Sequence, residues 1–476
     1  FMAGVLPLFF KKTVGVRPGN VLVCLFLLFY IVLTGGPPSV LRAASMAVLL
    51  IVAGRFRLPL SAVDILSMLC IVLLIIRPYS LHDIGFVLSF LVSFTLLLGR
   101  DALQGKSKLI QSLNVSLMAF LATLPIIFAL QGQANLAGVV YNVVLVWILM
   151  VFVLPLTYLT ACLPFISPAL LGVYGIFESM ITLFHDHGML MLRGHVQSGW
   201  LRLIYWALLA WMMAGFDHLP RRLLRMGILG LYMILILFSS YLDPTSRLTM
   251  FAVKGDAFLI EDAFSRCNIL IDTGDDSSGD ALALALSRKG VRHLDYVVIT
   301  HKHDDHFGGY ERVASSQSIG TTITPKNAGP YENTMTHCGA LRFFMYPAEA
   351  KYENENDNSI ILWMDTGHAR ILFTGDMERT REPAFLRAHG PLPEIDILKA
   401  AHHGSNTSST DKFLEAVDAQ EVLVSAHPSN IFNHPGEGAI ERFNARGMTI
   451  HRTDISGSVE FIDFLGRRYK KTALKD

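Results

Sequence analysis

Two different patterns of hydrophobic and polar residues divide the chain. Up to about residue 245, long apolar runs are separated by short polar breaks, whereas the remainder alternates short apolar runs with amphipathic stretches. A membrane-spanning helix needs about 20 mostly apolar residues. We therefore predict a polytopic α-helical membrane domain over residues 1–245. Its nine candidate spans are Val21–Leu33, Val40–Gly54, Leu58–Ile76, Ile84–Gly99, Leu113–Leu130, Val139–Leu163, Leu170–Leu183, Leu203–Gly215 and Met226–Tyr241.

Residues 246–476 have the pattern of an α/β domain. Short β-type runs such as Cys267–Ile271, Tyr296–Ile299 and Arg370–Phe373 alternate with helical stretches such as Glu378–Ala388. Strands that are bounded by turn residues and alternate with helices are typical of layered α/β domains. A segment of about 230 residues is long enough for one complete hydrophobic core.

Composition and charge separate the same two parts. Of the 476 residues, 52% are hydrophobic and 17% are charged, and the formal net charge is +1. Residues 1–245 contain 15 Lys and Arg against 7 Asp and Glu, a net charge of +8, so the remainder carries −7. This composition excludes a disordered chain, a nucleic-acid-binding tail and a small disulfide scaffold. The five cysteines lack the CxxC spacing of a thiolate zinc site, and the sequence allows a Cys267–Cys338 disulfide without arguing for one.

The strongest chemical signal is a cluster of ligand-type residues directly after a predicted strand. Residues 300–306 read Thr-His-Lys-His-Asp-Asp-His. Alternate residues of an extended segment project to the same side, so His301 and His303 can share one metal ion. Asp305 and His306 follow where the chain turns, and can reach a second ion. Imidazole together with carboxylate suits zinc, manganese or iron.

Further ligand-type residues stand at the ends of other predicted strands. Asp272, Asp376 and the pair His402 and His403 each close an apolar run. In a layered α/β domain the strand ends converge on one edge, where sites form. The sequence therefore predicts one metal centre that gathers these residues with the motif at 300–306.

These motifs resemble those of the metallo-β-lactamase superfamily, an αββα sandwich with a dinuclear metal site. Residues 301–306 match its HxHxDH motif. The resemblance implies that Asp376 bridges the two metals and that Asp272 orients metal ligands from behind. The superfamily usually has a His shortly before the strand of the bridging Asp, where this chain has Asp-Asn-Ser at 357–359. Either the first metal lacks a protein ligand, or His402 supplies it.

The first part of the chain resembles the competence domain of ComEC-type DNA-uptake channels. The segments Thr34–Ala43 and Gly85–Phe90 carry this resemblance, and Pro125 stands where that family also has a proline. In the second part, the segments at 402–405 and 433–435 resemble the hydrolase domain that is fused to the channel. The two resemblances occur in the order in which the family joins its domains.

The resemblance implies a function in DNA uptake during natural transformation. Single-stranded DNA would cross the bacterial inner membrane through the multi-pass domain. The hydrolase domain, on the extracytoplasmic side, would degrade the other strand with two divalent metal ions, zinc or manganese. A net-positive passage suits a strand with one phosphate per nucleotide. Besides DNA and the lipid bilayer, the family leaves room for a DNA receptor, a cytoplasmic translocase and a second copy of the chain as partners.

The family's first helices and its extracytoplasmic OB-type domain have no counterpart in this sequence, which begins at Phe1 inside an apolar stretch. We therefore expect the natural protein to begin upstream of this residue.

Under this hypothesis each candidate residue has a role. The metal ligands are His301, His303, Asp305, His306, Asp376 and His402. Asp305 also orients the nucleophile, and His403 or His434 protonates the leaving oxygen, since His titrates near neutral pH. The predicted substrate contacts are Ser405, at an expected helix start that offers backbone N–H groups to a phosphate, Lys399 and Arg42.

Two other functions stay open at this point. One is a membrane-anchored metallo-hydrolase that acts on lactams, lactones or thioesters and transports nothing. The Gly and Pro residues at 34–39 and the competence-type motifs argue against it. The other is a channel whose hydrolase domain is degenerate and only binds or gates DNA, because the His before Asp376 is missing.

Overall fold

The computed structural model describes residues 16–103, 107–186, 190–194, 199–213, 219–329, 334–428, 432–464 and 467–472. These residues form two compact units that divide between Ile236 and Leu237, with a short segment at Arg193 counted in the second unit. The first unit is helical and the second contains two large sheets. The boundary predicted at residue 245 falls among the first residues of the second unit.

The first unit is built from apolar helices. Its described elements are α1 (Val16–Leu33), α2 (Pro38–Phe56), α3 (Ala62–Ile76), α4 (Ile84–Leu98), α5 (Lys108–Gln131), β1 (Gln133–Asn135), α6 (Gly138–Ile148), α7 (Leu154–Cys162), α8 (Ser167–Asp186), β2 (Met191–Arg193), α9 (Gly199–Met213) and α10 (Leu219–Leu237). By length and composition, four helical spans in the described residues could cross a membrane. They are Pro38–Phe56, Lys108–Gln131, Gly138–Ala161 and Pro164–Leu183, and five further apolar helices are shorter. The prediction of a domain with several membrane-type helices is confirmed.

The residues between these helices either allow the chain to turn or form hydrogen bonds with free backbone groups at the helix ends. Gly35 and Gly36 have positive φ where α1 ends, and Pro38 opens α2, where its missing N–H removes no helical hydrogen bond. Ser61 and Asp64 form a capping box at the start of α3, with 2.8 Å between the Ser61 N and the Asp64 Oδ2. In lipid every backbone donor must find a partner within the protein. These polar side chains therefore serve the helix ends.

Pro125 interrupts the hydrogen bonding of α5, and side chains of α9 compensate. Proline has no N–H for the carbonyl four residues earlier, which here belongs to Leu121. The Tyr205 hydroxyl donates to this carbonyl at 2.8 Å, and the Trp206 indole N–H donates to the carbonyl of Ala122 at 2.9 Å. Because an unpaired carbonyl is costly in lipid, these bonds explain how a membrane-type helix tolerates the proline.

Two seven-stranded sheets form the centre of the second unit. The strands are β3 (Ser246–Met250), β4 (Phe258–Glu261), β5 (Asn268–Ile271), β6 (His293–Val298), β7 (Ser318–Ile323), β8 (Thr336–Cys338), β9 (Leu341–Tyr346), β10 (Ile361–Asp365), β11 (Arg370–Phe373), β12 (Ile397–Lys399), β13 (Glu421–Val424), β14 (Thr449–Arg452), β15 (Val459–Phe464) and β16 (Arg467–Thr472). One sheet has the order β16-β15-β3-β4-β5-β6-β7, and the other has the order β14-β13-β12-β11-β10-β9-β8.

Helices cover the outer faces of both sheets. They include α11 (Gly279–Arg288), α13 (Tyr310–Ser316), α14 (Glu382–His389), α15 (Asp411–Val417) and α16 (Glu437–Ala445). The four-residue helices α12 (Asp304–Phe307) and α17 (Thr453–Ser456) follow β6 and β14. The inner faces share one core, in which Phe258 and Phe373 meet edge to face at 5.4 Å. Leu282 of α11 packs in the core on the outer side of the first sheet, and Phe385 of α14 packs in the core on the outer side of the second. The predicted αββα sandwich is confirmed.

The parallel strands bring the predicted site residues to one edge. In the first sheet β5, β6 and β7 are parallel, and in the second β11, β12, β13 and β14 are parallel. Asp272 directly follows β5 and the motif at 300–306 follows β6, while Asp376 follows β11 and residues 402–403 follow β12. Side chains from separate parts of the sequence therefore meet where these strands end.

A disulfide joins Cys267, which precedes β5 in the first sheet, to Cys338 of β8 in the second. Its Cα atoms are 5.5 Å apart and the two residues are 71 positions apart in the sequence. The bond therefore links the two layers of the sandwich.

Candidate metal centre

Asp272 organises the loop that follows β6. Its carboxylate accepts hydrogen bonds of 2.7 Å from both the backbone N–H and the hydroxyl of Thr300, and lies 2.7 Å from Nδ1 of His306. The residue is 1% exposed and has a positive φ of 56°. Burial raises the pKa of its carboxyl group, although the neighbouring His306 acts in the opposite direction. By holding Nδ1, Asp272 leaves Nε2 of His306 facing the centre of the site.

Four ligand-type side chains converge at that point. Asp305, His306, Asp376 and His403 each offer one atom, and these atoms all lie within 4.8 Å of one another. Nε2 of His306 is 3.2 Å from Oδ2 of Asp376, and Nε2 of His403 is 3.1 Å from Oδ2 of Asp305. Two imidazoles and two carboxylates form a donor set that suits zinc, manganese or iron. The residues present therefore fit a divalent metal ion.

The electrostatics of the cluster also suit a cation. Burial disfavours a charged His403, yet the carboxylates of Asp376 and Asp256 raise its pKa to about 10. Burial likewise opposes charge on His306, but Asp376 and Asp272 hold its pKa well above the usual value. In turn the two imidazoles hold the pKa of Asp376 well below its usual range, although burial alone would raise it. Metal binding releases protons from such ligands, so a divalent ion would take over the positive charge that the imidazoles carry here.

His301 and His303 form a pair beside this cluster, and the ring centroids of His301 and His306 are 4.1 Å apart. Nε2 of His301 lies 3.1 Å from Nδ1 of His303, so the two nitrogens face one another. On its other side, Nδ1 of His301 is 3.3 Å from the Ser359 hydroxyl, which also accepts a hydrogen bond of 3.0 Å from the Asp376 N–H. Burial lowers the pKa of His301 to about 2, so its ring is neutral. Among the described residues, no third His, Cys, Asp or Glu completes a ligand group with this pair.

The structure separates the neighbours His402 and His403. His403 joins the four-residue cluster, whereas Nδ1 of His402 lies 3.3 Å from Oε1 of Glu378, and its Nε2 is 3.9 Å from Asp376. The ring of His434 stands 5.1 Å from that of His402. His402 and His434 thus lie beside the cluster, and the geometry favours His403 over His402 as the metal ligand.

Lys399 points into the protein interior. It is 1% exposed, and its ammonium group donates to the Gly375 carbonyl at 2.8 Å and lies 3.4 Å from Oδ1 of Asp376. The same ammonium forms an ion pair with Asp256, which is also 1% exposed. A role as a substrate contact does not fit this placement. Asp256 is not among the residues predicted for the site, although Lys-Gly-Asp at 254–256 forms a short polar segment between β3 and β4.

No helix begins at Ser405. Its N–H donates to the His402 carbonyl at 2.8 Å, and its hydroxyl accepts from the Thr407 N–H at 3.2 Å. The next helix begins only at Asp411. The expectation of a helix start at Ser405 is therefore wrong, because the residue closes a local turn that uses its N–H.

Arg42 lies in the helical unit, where it connects two motifs. Its Nε on α2 donates to the Ser89 hydroxyl on α4 at 2.7 Å. The two residues are 47 positions apart and belong to the two segments that resemble the competence domain. The structure thus brings those segments together through one polar contact between apolar helices.

Two family models match this chain. Residues 1–221 match the Competence protein family, and residues 251–368 match the Metallo-beta-lactamase superfamily. The chain is a competence domain fused to a metallo-β-lactamase domain. The helical unit is hereafter the competence domain and the sheet unit the hydrolase domain, because the second match indicates a metal-dependent hydrolase. With its apolar helices and this family match, the chain is a multi-pass membrane protein.

Competence proteins of bacteria are similar to this chain in sequence. ComE operon protein 3 of Bacillus subtilis is 25% identical over 96% of this chain and 66% of that protein. Competence protein ComA of Neisseria gonorrhoeae is 32% identical over 41% of this chain and 29% of that protein. The chain thus spans less than two thirds of the length of these relatives. Among solved structures, Igni18, a metallo hydrolase from Ignicoccus hospitalis, is 16% identical with a TM-score of 0.33, covering 46% of this chain and 99% of that one.

Proposed function

We propose that this chain acts in DNA uptake during natural transformation. The competence domain passes one strand across the membrane, and the hydrolase domain cuts phosphodiester bonds of the other strand. One observation carries the proposal: the side chains of Asp305, His306, Asp376 and His403 converge within a hydrolase domain that is fused to a competence domain. Ligands oriented this closely serve metal-assisted hydrolysis. A domain that only bound or gated DNA would not require them.

The residues around the cluster suit phosphodiester hydrolysis. A divalent metal ion bound there supplies polarisation of the phosphate and a lowered pKa for water. Asp305 is the most exposed member of the cluster, and we assign it the role of orienting the attacking water. Burial lowers the pKa of His434 to about 4, and His402 and His403 add to the effect, so this imidazole is neutral. A neutral imidazole is less suited to protonating the leaving oxygen than a charged one, which argues against His434 as the general acid.

The charges of the two domains are compatible with one anionic substrate. The competence domain has a surplus of Lys and Arg, which favours a phosphate-bearing strand. The hydrolase part is acidic, and its bound cations offset part of that charge. We propose two divalent ions, zinc or manganese, with the second ion at the His301–His303 pair.

The disulfide supports an extracytoplasmic hydrolase domain. Disulfides such as Cys267–Cys338 persist in oxidising compartments and are rare in the cytosol. We therefore place this domain on the outer side of the bacterial inner membrane. A DNA receptor, a cytoplasmic translocase and a second copy of the chain are further proposed partners.

The test uses two neighbouring aspartates that differ in placement. Asp305 belongs to the cluster, whereas Asp304 is exposed and lies outside it. The full chain in lipid nanodiscs is incubated with linear DNA and Mn²⁺ or Zn²⁺. We expect Asp305→Asn to abolish cleavage and the matched variant Asp304→Asn to retain it, because only the first change removes a ligand. Chelation with EDTA should abolish cleavage by the wild type.

Intact DNA in the presence of metal-loaded wild-type protein would refute the nuclease proposal. Equal cleavage by the two Asn variants would refute the assignment of the site. Lactam, lactone and thioester substrates tested in parallel separate DNA hydrolysis from the general hydrolase alternative.

A further inference from the structure

A buried ion pair contacts two members of the four-residue ligand cluster, Asp376 and His403. Lys399 and Asp256 are each 1% exposed, and the ammonium of one contacts the carboxylate of the other. Removing an ammonium or a carboxylate from water is costly unless it is paired and hydrogen-bonded. We therefore look to the neighbouring site for the reason that these two charges are buried here.

Lys399 holds one side of the Asp376 carboxylate. Its ammonium lies 3.4 Å from Oδ1, and it also donates to the carbonyl of the preceding residue, Gly375, at 2.8 Å. The other oxygen, Oδ2, is 3.2 Å from Nε2 of His306 and 3.5 Å from Nε2 of His403. With Oδ1 engaged, the carboxylate presents Oδ2 to the cluster.

Asp256 connects the ligand loops of the two sheets. Its N–H donates to the Asp305 carbonyl at 3.0 Å, which ties it to the loop after β6. Its carboxylate lies 3.2 Å from Nδ1 of His403, on the loop after β12 of the other sheet. The Ser425 carbonyl oxygen also lies 3.1 Å from this nitrogen, so Asp256 and Ser425 together engage Nδ1 and leave Nε2 of His403 facing the cluster, as partners of metal-bound histidines commonly do.

The glycine before Asp256 permits this close approach. Gly255 has a φ of +94°, and a Cβ at this position would lie 1.8 Å from the Asp305 carbonyl oxygen. Any other residue would push the Asp256 segment away from the ligand loop. The Gly-Asp sequence therefore serves both the backbone approach and the ion pair.

We propose that Lys399 and Asp256 are positioning residues of the metal centre. Lys399 orients Asp376, Asp256 orients His403, and their ion pair joins the ligands of the two sheets. This inference rests on the proposed metal-dependent function. It gives Lys399 the role of positioning the metal ligands and not that of contacting the phosphate of the substrate.

A double variant separates this role from a contribution to folding. Lys399→Met alone leaves Asp256 buried without its partner and should destabilise the domain. The double variant, Lys399→Met with Asp256→Asn, removes both charges and should restore much of the stability. We expect the double variant to bind Mn²⁺ about 10–100-fold more weakly than the wild type, the usual loss when partners of metal ligands are removed. Mn²⁺ binding is measured by electron paramagnetic resonance on the full chain in nanodiscs, with thermal unfolding of each variant.

Lys289 supplies the matched control. It is a partly buried lysine of the same domain, 19% exposed, that pairs with Glu261 at 3.0 Å and with Glu460, away from the residues of the cluster. Lys289→Met should lower stability and leave Mn²⁺ affinity unchanged.

Wild-type Mn²⁺ affinity in the double variant would overturn the inference. A double variant that fails to fold would also overturn it, because the pair would then serve the fold. DNA does not enter this measurement. Mn²⁺ binding as expected with intact DNA would refute the proposed nuclease function and leave the positioning role standing.

Discussion

At the scale of residues, the site depends on which side of each imidazole faces the cluster. Asp272 holds Nδ1 of His306, and the Ser425 carbonyl and Asp256 hold Nδ1 of His403, at 3.1 and 3.2 Å. His402 and His403 both have positive φ, 50° and 53°, so the backbone bends sharply between them. Neighbouring residues of identical type thus reach different places. Strained conformations of non-glycine residues cluster at functional sites because the surrounding structure must impose them.

His403 and His303 have different numbers of ligand-type neighbours, so we predict that they contribute unequally to metal affinity. His403 belongs to a four-residue ligand group, whereas His303 has only His301 as a partner among the described ligand-type residues. We expect His403→Gln to remove the tightest Mn²⁺ and His303→Gln to leave it bound. Metal content after dialysis, measured by mass spectrometry, checks this. Two equally tight ions in the wild type, or equal loss in both variants, would contradict it.

At the scale of elements, apolar patterning located several strands and helices of the hydrolase domain. The strand predicted at Arg370–Phe373 has those bounds in the structure, and the helix predicted from Glu378 begins at Glu382. Ser405 was misassigned because a turn of positive-φ residues follows β12 before the next helix. Such turns depend on contacts with distant segments, which a local pattern does not contain.

The disulfide between the two sheets predicts a measurable stabilisation. Closing a loop across a separation of 71 residues should stabilise the domain by about 4 kcal/mol, mainly by restricting the unfolded chain. Replacing Cys267 and Cys338 with Ser should lower the free energy of unfolding by about this amount in urea titrations followed by pulse proteolysis. Dithiothreitol should produce the same loss in the wild type and none in the double Ser variant. An unchanged midpoint for reduced wild type would contradict the prediction.

At the scale of the whole molecule, the near-neutral net charge conceals two oppositely charged parts. The competence domain has few acidic residues, and two of them, Asp64 and Asp83, cap helices. Arg42 is different, because it joins α2 to α4 through Ser89 in a region where polar residues are rare. Ionisable residues within membrane domains more often line cavities or contact partners than face lipid.

We therefore predict that a substitution of Arg42 affects DNA transport and does not affect DNA cleavage. In a naturally competent host, we expect Arg42→Ala to lower the transformation frequency and to leave DNA cleavage by the purified chain unchanged. Arg55→Ala on the same helix is the matched control, since Arg55 is exposed in the last turn of α2. Normal transformation with Arg42→Ala would refute a role for this residue in the passage.

The sequence by itself determined the two-domain organisation, the αββα architecture and the HxHxDH segment at 301–306. These features follow from local composition, from the spacing of apolar residues and from motif resemblance, all of which are legible along the chain. Only the tertiary structure decided that His403 joins the cluster, that Lys399 turns inward to Asp256, and that Cys267 meets Cys338. Each of these depends on loops from different strands that approach within a few ångströms, because the parallel strands end at a common edge and the two sheets close over one core.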